Sequence, residues 1–159
     1  MKFIIIYATR YGCTEKAAKL LQKKLPGAVE SVNIGNEKAP DLSLYDIVII
    51  GGPIYIGKTL KTLTDYMRQN FDVLKKKRLA LFLCAGEQDP RKTDALFTGA
   101  FPEELYKTAF TREVFGGELY WEKLDFMTKL ILRLVKGKKE GYSRLSEEKI
   151  EKFAADIEG

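Results

Sequence analysis

The sequence predicts an α/β protein with a doubly wound parallel sheet, and two observations carry this prediction. Short apolar runs alternate along the chain with segments of helical periodicity, which favours right-handed βαβ units. The apolar runs are also continuous, as in "FIIIY" and "YDIVIIGGP", and do not alternate with polar residues. Continuous β-branched runs of this length are typical of strands buried on both faces of a parallel sheet.

Five strands and five helices follow from these patterns. The first helix has a clear start, with Thr14 at the expected N-cap and Glu15 in the first turn. The third strand ends in a Gly-Gly-Pro turn, and "KKKR" at 75–78 is interpreted as a solvated helix end before the fourth strand. Strands are predicted at 2–7, 29–34, 46–51, 79–84 and 112–118, and helices at 14–25, 59–70, 93–108, 121–136 and 145–158.

Length and composition predict one globular domain, 1–159. The chain is 45% hydrophobic and 31% charged, which is ordinary for a protein with a full core. No apolar stretch reaches the roughly 18 residues of a membrane span, and Met1 leads straight into a strand, so no signal peptide is expected. Two Cys without a CxxC spacing predict free thiols in a reducing compartment, and hence a cytoplasmic protein.

The chain contains no His, which excludes Ser–His–Asp and Cys–His nucleophile systems, His-ligated metals and His acid–base work. We therefore assign no catalytic side chain and no metal ligand, and we expect a cofactor to carry the chemistry. The net charge of +5 favours an anionic partner such as an acidic membrane surface. No nucleic-acid partner is predicted, because no aromatic residues interleave with "KKKR".

The segment 8–14 links the end of the first strand to the start of the first helix. Such a junction presents unpaired backbone N–H groups and the positive end of the helix dipole, which together favour an anion. Thr9 and Thr14 add hydroxyl groups, and Gly12 permits a close backbone approach. The expected ligand group is a phosphate, although any βα turn contains some of these features. The two commonest nucleotide-binding loops, G-x-G-x-x-G and G-x-x-x-x-G-K-[ST], are absent.

Three loops should meet at the carboxyl edge of the predicted sheet, where open α/β proteins bind ligands. They are 8–14, 52–58 ("GPIYIGK") and 85–92 ("AGEQDPRK"). Their Gly and Ala residues allow the backbone to approach a ligand, and Tyr55 could lie flat against a planar one. An equally common role for Tyr55 is that of a half-buried surface aromatic.

These loops resemble those of the flavodoxin family. "TRYGCT" is similar to that family's Ser/Thr-x-Thr-Gly-x-Thr phosphate loop, with Tyr11 in place of the usual Thr, and "IVIIGGPIYIGK" and "LFLCAGEQD" occupy the positions of its two flavin loops. The resemblance covers nearly the whole chain. It implies a strand order of 2-1-3-4-5 and one FMN, whose phosphate rests in the first loop while the other two flank the isoalloxazine ring. The implied contacts are Thr9, Arg10, Tyr11, Gly12, Cys13, Thr14, Pro53, Ile54, Tyr55, Ile56, Gly57, Ala85, Gly86 and Glu87.

A narrower resemblance concerns the region after the fifth strand. "GGELYWEKLDFMTKLILRLVKG" is similar to the same region of bacterial flavodoxin-like protoporphyrinogen IX dehydrogenases, and Ile54, Gly57 and Lys58 match their second loop. This resemblance implies an FMN oxidoreductase that takes electrons from a porphyrinogen and passes them to a quinone. A flavodoxin-type electron carrier and a quinone reductase remain alternatives, and so does a binding module that has lost FMN.

The segment 121–136 is predicted to form an extra amphipathic helix after the fifth strand. At 100° per residue its apolar residues cover about half of the circumference, and the opposite side carries two acidic residues, Glu122 and Asp125, and three basic ones, Lys129, Arg133 and Lys136. The sixteen residues of this segment rise about 24 Å, too little to span a bilayer. Peripheral contact with the inner face of a membrane, contact with a partner protein and ordinary packing on the sheet are left open. The first two require that Leu124, Met127, Leu130, Ile131 and Leu134 are not covered by the sheet.

Two other classes fail on the sequence. A response-regulator receiver needs an acidic pair after the first strand and an Asp after the third, where this chain has "YATR" and "IGGP". A Cys phosphatase needs Cys-x5-Arg, but Lys19 stands six residues after Cys13. We therefore interpret Cys13 as a small loop residue and Cys84 as a buried residue at the end of a strand.

Overall fold

The sheet has the predicted parallel order. The computed structural model describes residues 1–87, 89–119, 124–136, 142–143 and 145–159. Five strands pair in parallel in the order β2-β1-β3-β4-β5, which confirms the predicted architecture. They are β1 (Lys2–Tyr7), β2 (Ala28–Asn33), β3 (Ile47–Pro53), β4 (Arg78–Cys84) and β5 (Thr111–Val114).

Helices cover both faces of this sheet. Ile4 and Ile6 of β1 pack in one apolar cluster, with residues of α2 to α5, whereas Phe3 and Ile5 pack in a second cluster, with α1 and α7. Successive side chains of a strand point to opposite faces, so the continuous apolar runs fill both clusters. The helices are α1 (Cys13–Lys24), α2 (Lys61–Gln69), α3 (Phe71–Leu74), α4 (Thr93–Ala100), α5 (Glu103–Thr108), α6 (Phe126–Lys136) and α7 (Glu147–Glu158), with 3-10 turns at Leu42–Leu44 and Pro90–Lys92.

Two predicted elements differ from the structure for local reasons. The helix predicted at 93–108 is divided into α4 and α5, because Pro102 has no N–H to continue the α-helical ladder. The strand predicted at 112–118 ends at Val114, and Gly116 follows with a positive φ of 84°. Its last residue, Glu118, belongs to β6 (Glu118–Leu119). This short strand pairs antiparallel with β7 (Tyr142–Ser143) in a separate two-stranded sheet that the sequence did not reveal.

The extra helix after β5 is α6. The structure begins this helix at Phe126, and the first residues of the predicted helix, 121–123, lie outside the described residues. Asp125 precedes it and caps it, because its Oδ1 accepts the Thr128 N–H at 2.7 Å. Among the described helices, none is long and apolar enough to cross a membrane.

Candidate functional site

The N-terminus of α1 follows directly from the carboxyl end of β1. The N-cap is Gly12, at a φ of 95°, so the prediction of Thr14 as the N-cap was wrong by two residues. The first backbone bond of the helix runs from the Lys16 N–H to the Gly12 carbonyl at 3.0 Å. The N–H groups of the preceding turn therefore have no intrahelical acceptor, and with the helix dipole they form an anion-binding end.

Two Thr side chains belong to this junction. Thr9 is half-buried, and its Oγ1 accepts the Gly12 N–H at 3.0 Å, which shapes the turn. Thr14 is fully buried in the first turn of α1 near the Cys84 thiol, and within the described part of the chain its Oγ1 makes no hydrogen bond of regular geometry. A buried hydroxyl without a partner costs about 1–3 kcal/mol. An anion at the helix end would supply the missing partner, so these residues fit a bound phosphate group.

A pair of thiols lies beneath this junction. Cys13 is the first residue of α1 and Cys84 the last of β4, and both are buried, so Cys13 is not the loop residue that the sequence suggested. A hydrogen bond from Cys84 lowers the pKa of the Cys13 thiol, and the Glu118 N–H also donates to Cys13 Sγ at 3.3 Å. The same contact and burial raise the pKa of Cys84 well above its ordinary range. Cys13 Sγ is therefore the accepting sulfur of the pair.

The second loop forms a tight turn after β3. Tyr55 and Lys58 exchange two backbone hydrogen bonds of 2.9 and 3.2 Å, and the two residues between them, Ile56 and Gly57, have φ values of 52° and 75°. Two positive φ values at the central positions are typical of a type I′ turn. Ile56 is the one non-Gly residue with a positive φ in the described chain, and its β-branched side chain is 57% exposed. The turn therefore presents an apolar side chain at a strained backbone position.

The first two loops meet, as the sequence predicted. The rings of Tyr11 and Tyr55 contact edge to face, with centroids 5.7 Å apart and an interplanar angle of 80°. Pro53 is the last residue of β3. The next residue, Ile54, donates its backbone N–H to the Cys84 carbonyl at 3.0 Å. This contact ties the second loop to the end of β4.

The third loop starts at the same edge of the sheet. The Ala85 N–H donates to the Gly116 carbonyl at 2.9 Å, and a Cβ at Gly117 would lie 3.3 Å from the Gly86 nitrogen. The Glu87 carboxylate accepts the Asp89 N–H at 3.0 Å and lies 3.2 Å from Lys92 Nζ. The third loop is thus held by the segment after β5 and by its own side chains.

The start of α6 docks on the first loop, a feature that the sequence analysis missed. Asp125 Oδ2 accepts from Arg10 Nη2 at 2.5 Å and lies 3.2 Å from the Tyr11 hydroxyl. The hydrogen bonds from Thr128, followed by those of Tyr11 and the charge of Arg10, lower the pKa of Asp125 to about 2. Because these residues are more than 100 positions apart in the chain, no local pattern links them. The side chains of Arg10 and Tyr11 point to α6, so a phosphate at this loop would be held by backbone groups and the Thr hydroxyls.

A cleft of about 290 Å³ opens between α6 and the second loop. Thr59 lines it, and its buried Oγ1 has no hydrogen-bond partner within the described residues. The other walls combine cationic and apolar side chains, so the cleft suits an apolar molecule that bears an anionic group. They include Arg10, Lys58, Lys61, Ile56, Leu60 and Ile131.

A Gly pair and a second cavity also resemble ligand-binding elements, but neither is part of this site. Gly51 and Gly52 lie within β3 and not in a turn, and a Cβ there would meet Phe82 at 2.0 Å and Leu63 at 2.6 Å. These two Gly residues are required by packing inside the protein. A larger cavity, about 570 Å³, lies between residues 34–40 and α2, but no predicted site residue lines it. Its charged lining contains two acidic and two basic residues: Glu37, Lys38, Lys61 and Asp65.

Comparisons with known proteins identify one matching family model and several solved structures with the same fold. The family model described as "Flavodoxin domain" matches residues 4–146. A short-chain flavodoxin associated with a bacterial microcompartment superposes with a TM-score of 0.59 and 18% identity, over 99% of this chain and 96% of that one. The flavodoxin of Streptococcus pneumoniae TIGR4 gives 0.60 and 16%, over 99% and 98%. A flavoprotein from Lactobacillus acidophilus NCFM, solved in complex with FMN, gives 0.55 and 16%, over 71% and 92%. A search of curated proteins found no match.

Proposed function

We propose that this chain, which belongs to the flavodoxin domain family, binds one FMN at the carboxyl edge of its sheet and transfers electrons between a donor and an acceptor. The observation that carries the proposal is the N-terminus of α1, with its unpaired N–H groups and the buried, unpartnered hydroxyl of Thr14. When bound, the flavin supplies the electron chemistry, which this His-free chain does not offer in its side chains.

The proposed roles of the chain are binding, orientation and exclusion of water. Backbone N–H groups at 13–15 and the hydroxyls of Thr9 and Thr14 hold the phosphate. The loop residues Pro53, Ile54, Tyr55, Ile56 and Gly57 lie along one side of the ring, with Tyr55 or Ile56 near one face. Ala85, Gly86 and Glu87 lie along the other side. The support for these ring contacts is the convergence of the loops at one edge of the sheet and the exposed side chain of Ile56.

Thr14 provides the test of the phosphate site. Thr14→Val keeps the shape of the side chain and removes only the hydroxyl, so FMN affinity should fall roughly tenfold or more, as expected for one charge-assisted hydrogen bond. Thr14→Ser keeps the hydroxyl and is the matched control. The dissociation constants are measured by titrating FMN into each protein and following flavin fluorescence. An unchanged affinity in Thr14→Val would contradict the assigned site.

The proposed electron donor is protoporphyrinogen IX and the proposed acceptor is a quinone. The likeness of 116–137 to the protoporphyrinogen IX dehydrogenases supports this finer function, and the cleft beside the second loop supports it independently. That cleft is too small to enclose a whole porphyrinogen, but its apolar walls and the cations of Arg10, Lys58 and Lys61 suit one carboxylate-bearing edge of such a molecule. We expect FMN-loaded protein to oxidise protoporphyrinogen IX with a menaquinone analogue as acceptor, and Lys58→Glu to raise the KM for the porphyrinogen.

A flavodoxin-type electron carrier is the second candidate, favoured by flavodoxins that superpose over nearly the full chain. The outcome of the turnover assay separates the two functions. Bound FMN without porphyrinogen oxidation or quinone reduction indicates the carrier, and a colourless protein that ignores added FMN indicates a binding module. Free, buried thiols at Cys13 and Cys84 support a cytoplasmic location for either function.

A further inference from the structure

The outer side of α6 is apolar and exposed, whereas Leu124, which the sequence placed on the same apolar side, precedes the helix and is buried. Phe126 is 76% exposed, Leu134 77%, Met127 60% and Leu130 39%. Phe126, Leu130 and Leu134 are four residues apart, so they form a stripe about 80° wide, with Met127 at its edge. Thr128, which contacts Tyr11 of the first loop, lies about 160° from Leu130 on the opposite side. The helix therefore binds its own protein through one side and presents the apolar stripe outward.

The charges beside the stripe have one sign. Lys129 and Arg133 lie along one edge of it, and no residue of Phe126–Lys136 is acidic. The whole chain carries a net charge of +5. A second copy of the protein docked stripe to stripe would bring these like charges together, which disfavours self-association. An anionic surface would instead attract them, by up to about 1 kcal/mol for each cation at a lipid leaflet.

The shape of the helix also suits a lipid surface. Eleven residues rise about 16 Å, far less than the roughly 30 Å of a hydrocarbon core, so α6 cannot span a bilayer. A helix with an apolar stripe and basic flanks can lie in the plane of the interface with the stripe among the acyl chains. Asp125 fixes α6 to Arg10 and Tyr11, so contact with lipid would also orient the cleft beside the second loop.

We infer that α6 seats the protein on an anionic lipid surface, through Phe126, Leu130, Leu134 and the basic edge at Arg133. The inference does not depend on which donor and acceptor the protein uses. It explains why the side chains of Phe126, Met127 and Leu134 are left uncovered in a protein whose sheet is packed on both faces.

The test uses the full FMN-loaded chain and flotation with phosphatidylglycerol–phosphatidylcholine vesicles. We expect binding at low salt, a steep loss at high salt because exposed charges are screened, and no binding to pure phosphatidylcholine. Phe126→Ser combined with Leu134→Ser should weaken partitioning roughly tenfold or more, since two apolar side chains no longer leave water. Leu44→Ser is the matched control, because Leu44 is 59% exposed and lies elsewhere on the surface.

A second pair of variants isolates the charge. Arg133→Glu and Lys76→Glu change the net charge equally, but only the first should weaken vesicle binding. The inference is overturned if wild-type protein ignores anionic vesicles at low salt, or if the control variants lose binding as much as the α6 variants do. It is also overturned if the apolar variants abolish a dimer that sediments without lipid, because a second copy would then cover the stripe. Retained flavin absorbance in every variant separates these results from a failure of FMN binding.

Discussion

Ile56 occupies a backbone conformation that β-branched residues rarely adopt, since its φ is 52°. Such a conformation costs of order 1–2 kcal/mol for an L-residue other than Asn, Asp or Gly. We expect Ile56→Asn to raise the free energy of unfolding of the FMN-free protein by about 1 kcal/mol, because Asn tolerates this region. The same variant should bind FMN more weakly if the Ile56 side chain covers the flavin. Urea unfolding and FMN titration measure the two effects.

The matched control for this prediction is Ile56→Val. It keeps the β-branch and the strain, so the stability of the FMN-free protein should change little. A loss of stability in Ile56→Asn would show that the turn is not strained at this residue. Stability that rises without any loss of FMN affinity would indicate that the turn serves the fold only.

At the scale of single residues, the sequence predicted the strand–helix junction after β1 but not its details. Thr9, Gly12 and Thr14 could be assigned to this junction because residue types there report the backbone geometry that the junction requires, and their contact with a phosphate stays a prediction. The N-cap fell at Gly12 and not at Thr14 because a Gly accepts the positive φ that the turn imposes. The missing partner of the Thr14 hydroxyl depends on which atoms surround it after folding, and sequence pattern carries no such information.

Asp125 is the contact that joins one element, α6, to the first loop. Its pKa is lowered from an ordinary 3.8 to about 2, so the carboxylate contributes stability that is present above pH 4 and is lost as the pH falls through about 2. We expect the difference in unfolding free energy between wild type and Asp125→Asn to shrink progressively between pH 4 and pH 2. Urea unfolding at a series of pH values measures this difference.

Asp156→Asn is the control for the pH series, because Asp156 is an exposed carboxylate on α7. Its difference from wild type should stay near zero across the same range. A difference for Asp125→Asn that does not change with pH would mean that the carboxylate charge does not hold α6 on the loop. Neutral Asn still caps the helix through its side-chain oxygen, so the pH dependence reports the charge and not the cap.

At the scale of elements, strands buried on both faces were predicted best. β1 was predicted at 2–7 and has these bounds, because its continuous apolar run leaves no other interpretation. The error at 93–108 arose because helical spacing continues across Pro102, although the backbone bonds do not. The pairing of Glu118–Leu119 with Tyr142–Ser143 joins two short segments that are distant in the chain. Strands of two residues carry too little periodicity for a sequence pattern to reveal.

Across the whole molecule, the interior of the sheet is packed by apolar side chains, whereas its carboxyl edge contains strained and unpaired groups. The strands pack into two apolar clusters, one on each face, and supply the stability of the fold. The edge where β1, β3 and β4 end carries the positive φ of Gly12, the strained Ile56 and the unpartnered hydroxyl of Thr14. The strain at Ile56 and the unpartnered hydroxyl of Thr14 cost free energy in the ligand-free protein, and a bound phosphate and ring would offset part of that cost.

The global stability should therefore depend on the ligand through its phosphate. A ligand that binds only the folded state stabilises it by RT ln(1 + [L]/Kd), which is about 2.7 kcal/mol at a concentration of 100 Kd. We expect FMN to raise the free energy of unfolding by this amount, and the urea midpoint in proportion, without changing the denaturant slope, because the surface exposed on unfolding is nearly the same. Riboflavin has the same ring without the phosphate, so at equal concentration it should stabilise far less.

Thr14→Val should reduce the FMN effect by about 1.4 kcal/mol for a tenfold weaker Kd, and should leave the riboflavin effect unchanged. Equal stabilisation by riboflavin and FMN would contradict the proposal that the N-terminus of α1 holds the phosphate, and would leave the ring contacts of the second and third loops as the source of affinity.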